Sequence, residues 1–468
     1  MNILLVVPSS DTIYDRHVPP LGIIILGAMA RKMGHDVEIL DLAAVRHDKA
    51  IARLLARKHD MVGVSCGFTN SAPYCMEYGK ALKETFPDTI LVAGGQHATF
   101  APEDLLENGY DAVVFGEGEL TWQELLERAQ AGRSFLDIKG VCYLREGQVH
   151  RNEPRDYMPD LDVLPVFSTT EFDYEPYFKV SGFKQVGIIT SRGCVHKCAF
   201  CSTVGMWGRK FRCQSAERIV AEFLAIRNAG IEAVDIQDDD FALDERRVRR
   251  FCELLIEKKL MMSWRVTIGS KTLRDMTTLD LMVAAGCVSV SVSIESANER
   301  ILKAYGKSFT IDDNRAIARE MRKRGIVVHN KGMIGYPDET VREIVRTSMY
   351  LLQNSDLSHV SILEPRPGSQ YWEMWDKKRD IREYLRFGKG NVFFGRNRTA
   401  IYLLLRMFAA IYLLYPKRIW KALFEKNPNV RYLYAKYYEM AVSTIKVNLR
   451  DLFASGKARL AGRSRRSG

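Results

Sequence analysis

Three cysteines carry the most specific chemistry in this chain. Cys194, Cys198 and Cys201 stand in the run Cys-Val-His-Lys-Cys-Ala-Phe-Cys, with three residues and then two between them. At that spacing three thiolates can converge on one face of a tight loop, and soft sulfur donors suit iron–sulfur clusters or zinc. A closed structural zinc site takes four ligands. The nearest further donors are His196, inside the loop, and Cys213, twelve residues beyond Cys201.

The elements around this loop follow from hydrophobic periodicity. Residues 1–145 alternate short apolar runs (Ile3–Val7, Val37–Leu40, Met61–Ser65, Thr89–Ala93 and Ala112–Phe115) with amphipathic helical stretches. That is the βαβ signature of a doubly wound, Rossmann-like parallel sheet. Turn residues cluster at its strand ends, as in Ser65-Cys66-Gly67, Gly94-Gly95 and Gly116-Glu117-Gly118. Open α/β sheets bind ligands at that edge. Residues 146–182 are rich in Pro and Asp, lack periodicity, and read as a linker.

A second series begins at Gln185, with strands expected at Gln185–Thr190, Ala233–Gln237, Ser263–Ile268, Val288–Ile294, Ile326–Met333 and Ser358–Leu363. Six strands with intervening helices predict a partial (β/α)6 TIM-type barrel over 183–375. Chemistry in such barrels sits at the carboxyl ends of the strands. The cysteine loop directly follows the first of them.

In that context Ser-Arg-Gly-Cys194-Val-His-Lys-Cys198-Ala-Phe-Cys201 resembles the signature of radical S-adenosylmethionine (SAM) enzymes. The resemblance implies that the three cysteines hold a [4Fe–4S] cluster whose open iron is chelated by SAM, with Phe200 near the adenine. It also places Asp238 and Asp239, after the second strand, at the methionyl amine. Ser293 and Glu295, ending the fourth strand, would meet the ribose and amine. The stretch Gly332-Met333-Ile334-Gly335-Tyr336-Pro337-Asp338-Glu339 is similar to the family's fifth-strand motif, and its Gly335 would lie against adenine. The usual Gly after the proline is Asp338 here. Cys213, Cys252 and Cys287 read as core or incidental thiols.

The first domain resembles the cobalamin-binding domain that precedes the barrel in one large class of these enzymes. The matching stretches include residues 19–41, Val62–Ser65, Gly94-Gly95-Gln96-His97-Ala98-Thr99 and Val114–Glu119. The resemblance assigns Ser65, Thr69, Gly94, Gly95, Gln96, Gly116, Glu117 and Gly118 to cobalamin. Domains that supply an axial histidine carry Asp-x-His-x-x-Gly; here Asp15-Arg16-His17 begins that pattern, but Pro20 replaces the glycine. His17 therefore reads as a polar loop residue.

Charge separates the catalytic body from the C-terminal segment. The 468 residues carry a formal charge of +11, yet residues 377–468 alone hold 22 Lys/Arg against 5 Asp/Glu. The remainder is mildly acidic, which argues against a protein that coats nucleic acid. The N-terminus lacks a cationic n-region and breaks at Pro8, reading as a first strand and not a signal peptide. Nine cysteines form no disulfide framework and suggest a reducing cytoplasm.

Residues 376–468 read as a helical, basic extension. Its apolar run Ala400–Tyr415 is too short to span a bilayer. Basic flanks such as Arg396 and Lys417, with aromatics, suit either an anionic membrane interface or packing on the barrel.

Residues 1–375 as a whole resemble the branch that includes anaerobic magnesium-protoporphyrin monomethyl ester cyclase and the hopanoid methylases. The implied reaction begins with reductive cleavage of SAM to a 5′-deoxyadenosyl radical, which removes hydrogen from an unactivated carbon. Methylcobalamin then delivers a methyl group. The substrate expected is a hydrophobic intermediate, an isoprenoid lipid or tetrapyrrole, with a flavodoxin or ferredoxin as electron donor. The alternatives are radical cyclisation or oxidation without methyl transfer, and a cluster- or cobalamin-based sensor. The setting expected is the cytoplasm, peripheral to the inner face of the membrane.

Overall fold

The computed structural model describes residues 1–9, 19–43, 45, 47–165, 172–374, 398–439 and 441–442. His17, Arg396 and the basic terminus from 443 lie outside the described residues. The chain divides into two compact units, one of residues 1–262 with 365–386, the other of 263–364 with 387–468.

The first unit opens with a seven-stranded sheet. Its strands are β1 (Asn2–Val7), β2 (Asp36–Asp41), β3 (Met61–Ser65), β4 (Ile90–Gly94), β5 (Ala112–Val114), β6 (Val141–Arg145) and β7 (Gln148–Arg151). They run in the order β2-β1-β3-β4-β5-β6-β7. The first five are parallel, and β6 and β7 form an antiparallel edge.

The alternation of side chains along β1 feeds two cores. Ile3 and Leu5 join Ile23, Trp122 and Leu125, whereas Leu4 and Val6 join Tyr78, Leu82 and Leu91. Gly79 is needed where helix Ala72–Thr85 meets the loop before β5, because a Cβ there would stand 2.2 Å from the Asn108 carbonyl. The five predicted parallel strands are present. The β6–β7 hairpin extends the sheet to Arg151, into the segment read as linker.

The same unit also carries β8 (Gln185–Ile188), the short antiparallel pair β9 (Ser191–Arg192) and β10 (Arg212–Cys213), and β11 (Ala233–Ile236). β8 and β11 are parallel. Helix Ala216–Asn228 is capped by Ser215, helix Glu245–Glu257 by Asp244, and the two meet through the Phe223 and Phe251 rings at 5.2 Å.

The second unit holds β12 (Ser263–Ile268), β13 (Cys287–Glu295), β14 (Val327–Ile334) and β15 (Leu357–Ile362), all parallel neighbours. With β8 and β11 they complete the strand order of a six-stranded half-barrel sheet. Capping boxes at Thr310/Asp313 and Thr340/Glu343 start helices Ile311–Lys323 and Val341–Asn354.

C-terminal helices Arg398–Leu413 and Pro416–Phe424 belong to this unit, and residues 428–439 are helical as well. Phe408 and Tyr412 are buried with Ile294, Tyr350 and Leu351. Farther on, Val430, Leu433 and Tyr434 cover Val327 and Leu357, and the Tyr437 hydroxyl meets the His329 ring at 2.9 Å. The attachment is fastened by Arg418. Its buried guanidinium donates to the carbonyls of Leu352, Ser355 and Asp356 at 3.0–3.1 Å, where helix Val341–Asn354 ends, and lies over the Tyr412 ring.

Replacing Arg418 strands those carbonyls. Arg418→Ala should cost about 2–4 kcal/mol of stability in urea unfolding. A loss below about 0.5 kcal/mol, the size expected of an ordinary surface change, would contradict this role.

Candidate active site

The cysteine loop leaves the sheet after β9. Cys194, Cys198 and Cys201 are half-buried and in no disulfide, and the Cys201 N–H closes a turn on the Cys198 carbonyl at 3.1 Å. Among the described residues no three His, Cys, Asp or Glu side chains already form a metal cage. The donor set nevertheless fits an iron–sulfur cluster: three soft ligands on one loop, with a coordination position left over. Burial pushes the Cys194 thiol up to about 12, and the nearby Asp240 and Asp239 carboxylates add to this.

Asp238 fixes where that loop starts. Its buried carboxylate accepts four hydrogen bonds, from the N–H and hydroxyl of Thr190 (2.7 and 2.6 Å) and of Ser191 (3.0 and 2.6 Å). Arg247 stands behind it at 3.6 Å and donates to the Thr190 carbonyl. Asp238 is thus occupied by protein donors. The neighbouring Asp239 is exposed and takes the Thr203 hydroxyl at 3.3 Å. Desolvation raises its pKa, and the neighbouring Asp238 and Asp240 carboxylates add to this. Asp240 caps the next turn and faces His196 at 3.3 Å.

A cavity of about 460 Å³ lies within the same unit. One wall is the carboxyl edge of the first sheet, including Ser65, Gly67, Phe68, Gly94, Gly95, Gly116 and Gly118. The same lining includes Ile189, Met206 and Trp207, which flank the cysteine loop in sequence, and Gln237, which follows β11. A Cβ on Gly116 would meet no protein atom within 4 Å and would project into open space, so glycine keeps the cradle wide. Gly95, at φ +110°, lets its chain pass Cys66, whose carbonyl would lie 2.8 Å from a Cβ. A broad, largely apolar cleft floored by backbone fits a flat corrin.

Three residues expected at the corrin send their side chains elsewhere. Thr69 meets His97 at 3.3 Å, and Gln96 donates to Ser202, next to Cys201. Glu117 accepts from Arg192, from Arg212 at 3.0 Å, and from the Met158 N–H at 2.7 Å. Glu119 forms a two-pronged pair with Arg192, two residues before Cys194. Trp207 lies under Arg192 with its ring centre at 5.5 Å. Arg192, Arg212 and Glu119 do not stand out as site residues in the sequence. The one signal there is the placement of Arg192 between a strand and the first cysteine.

In the second unit, Glu295 has φ +66° and pairs with Lys307 at 3.1 Å. Ser293 stands one register position away, opposite Lys331. Gly335 has φ +97°, and its N–H donates to Glu339. Burial raises Glu339 to about 7, and its second oxygen has no hydrogen-bond partner among the described residues.

The comparisons agree with this architecture. Residues 14–126 match the B12 binding domain model, and residues 188–351 match the radical SAM superfamily model. An uncharacterized methyltransferase of Pyrococcus horikoshii is 33% identical over 384 residues, covering 80% of this chain and 83% of that protein. The anaerobic magnesium-protoporphyrin IX monomethyl ester cyclase of Synechocystis is 25% identical, over 91% of this chain and 88% of its own length. The hopanoid C-3 methylase of Methylococcus capsulatus is 25% identical, over 79% and 71%. The fold is that of the radical SAM methyltransferase TsrM from Kitasatospora setae, solved with cobalamin and a [4Fe–4S] cluster bound (TM-score 0.70, 20% identity, 81% of this chain and 78% of that one).

A cobalamin-type domain ahead of a cysteine-loop half-barrel defines a radical SAM enzyme. More narrowly, the chain belongs to the cobalamin-dependent radical SAM methyltransferase family, whose cofactors are a [4Fe–4S] cluster, SAM and cobalamin.

The clasp on Asp238 is testable apart from turnover. Asp238→Asn turns an amide N–H₂ toward donors and should make the reconstituted enzyme lose iron to a chelator about tenfold faster. Wild-type iron retention would remove Asp238 from the positioning of the loop.

Proposed function

We propose that this enzyme methylates an unactivated carbon of a hydrophobic biosynthetic intermediate, an isoprenoid lipid or a tetrapyrrole. One observation carries the reading: the apolar cavity is lined both by the glycine-bearing sheet edge and by residues flanking the cysteine loop. Cobalamin held there would face the place where SAM is cleaved. The names of two relatives, a hopanoid methylase and a protoporphyrin ester cyclase, support the choice of substrate class.

When bound, the cluster with SAM supplies the radical initiator, and cobalamin supplies the methyl group. The protein's share is placement. Cys194, Cys198 and Cys201 ligate the cluster, Phe200 flanks the adenine, and the accessible Asp239 takes the methionyl ammonium. Asp238 serves the same site by holding the loop. Ser293 and Glu295 reach the ribose and amine, and the Gly335 turn, held by Glu339, backs the adenine. Ser65, Gly94, Gly95, Gly116 and Gly118 floor the corrin, with Thr69, Gln96 and Glu117 acting from behind.

The domains in this reading are 1–145 for cobalamin, a linker over 146–182, the barrel over 183–375, and the extension over 376–468. A flavodoxin or ferredoxin supplies electrons, and the enzyme works in the cytoplasm at the inner face of a membrane. The long match to the Synechocystis cyclase favours one second reading, ring closure without methyl transfer.

Turnover with methyl-deuterated SAM separates the two. Under methylation the product gains the deuterated methyl group, and Cys198→Ala yields neither that product nor 5′-deoxyadenosine. An unlabelled product from wild-type enzyme would sink the methylase reading.

A further inference from the structure

We infer that helices Arg398–Leu413 and Pro416–Phe424 present a rigid ridge that docks on an anionic lipid surface. Both helices are two-faced. Phe408 and Tyr412 are buried against the second unit's own core, and the buried Arg418 ties the second helix to the end of helix Val341–Asn354. The opposite face is apolar and open. Met407, Ile411 and Leu414 recur at helical spacing and are 57%, 43% and 75% exposed. After the break at Pro416, Trp420, Leu423 and Phe424 continue it at 55–61% exposure. Scattered single apolar residues are ordinary on a surface; a continuous stripe of this kind marks an interaction site.

Charge decides the occupant. Residues 377–468 carry 22 Lys/Arg against 5 Asp/Glu, while the rest of the chain is mildly acidic. Around the ridge, Lys417, Lys426 and Arg431 are exposed. Glu425 is taken up by Lys421. An apolar stripe with Trp at its edge and a cationic rim complements anionic headgroups over acyl chains. Among the described residues no helix is long and apolar enough to cross a membrane, so the helices would lie in the interface plane. The inference rests on the proposed hydrophobic substrate only for its purpose, since a lipid-soluble intermediate would be taken up at such a surface.

Flotation of the full-length holoenzyme tests it, using vesicles of phosphatidylglycerol with phosphatidylcholine against phosphatidylcholine alone. Wild type should float with the anionic vesicles and be released by high salt. Leu414→Glu combined with Phe424→Glu should weaken this at least about tenfold with iron content unchanged. Lys417→Glu with Lys426→Glu should weaken binding to the anionic vesicles selectively. Wild type that does not float, or a Leu414/Phe424 variant that floats as wild type does, overturns the inference. So does a wild-type oligomer that the same variant converts to monomers, because the ridge would then cover a second copy. Flotation reads no chemistry, so an enzyme that floats but transfers no deuterated methyl group leaves the ridge standing and removes the methylase reading.

Discussion

The structure depends most on a buried ion network between the edge of the first sheet and the start of the cysteine loop. Arg192, Glu117 and Glu119 are each under 10% exposed. Charges at that depth persist only when paired, and removing one partner costs several kcal/mol because the other is left uncompensated. Glu117 and Glu119 follow β5, whereas Arg192 precedes Cys194 by two residues. A guanidinium fork that matches a carboxylate in two places fixes orientation as well as distance. The residues that would floor a corrin and those that would ligate a cluster are thus held in one frame.

Other contacts reinforce that frame. Gln96 reaches Ser202 beside the third cysteine. The Phe100 ring lies so close to Gly205 and Gly368 that Cβ atoms there would stand 2.9 and 2.2 Å away. Asp238 and Arg247 brace the loop from the other side. For chemistry in which a radical must be quenched by a methyl group before it reacts otherwise, such placement is the protein's main contribution. Little of this network is needed to make a sheet or a helix, which is why it reads as functional.

Much of the fold was legible because it rests on local periodicity. All five parallel strands of the first sheet and all six of the half-barrel fall where alternating apolar runs placed them, within a residue or two at the ends. The hairpin Val141–Arg151 carries no such periodic signal, because its second strand, Gln-Val-His-Arg, is short and polar and sits on an edge. The site was legible only in part. Cysteine spacing and glycine strand ends show in sequence, since backbone geometry demands those residue types. Which carboxylate stays exposed and which is taken up by protein donors does not show. Asp238 and Asp239 are neighbours with opposite environments, and the partner of Glu117 lies 75 residues away. The C-terminal helices posed the same difficulty: their composition suited packing and exposure alike, and the structure shows a face for each.

The Arg192 network sets the separation between the cavity at the first sheet's edge and the cysteine loop. Pulsed EPR of the reduced cluster and Co(II) cobalamin in the same molecule measures that separation directly. Wild-type enzyme should give one narrow distance distribution, and Glu117→Gln with Glu119→Gln should broaden it while both cofactors stay bound. A distribution equally narrow and unmoved in the double variant would contradict the account.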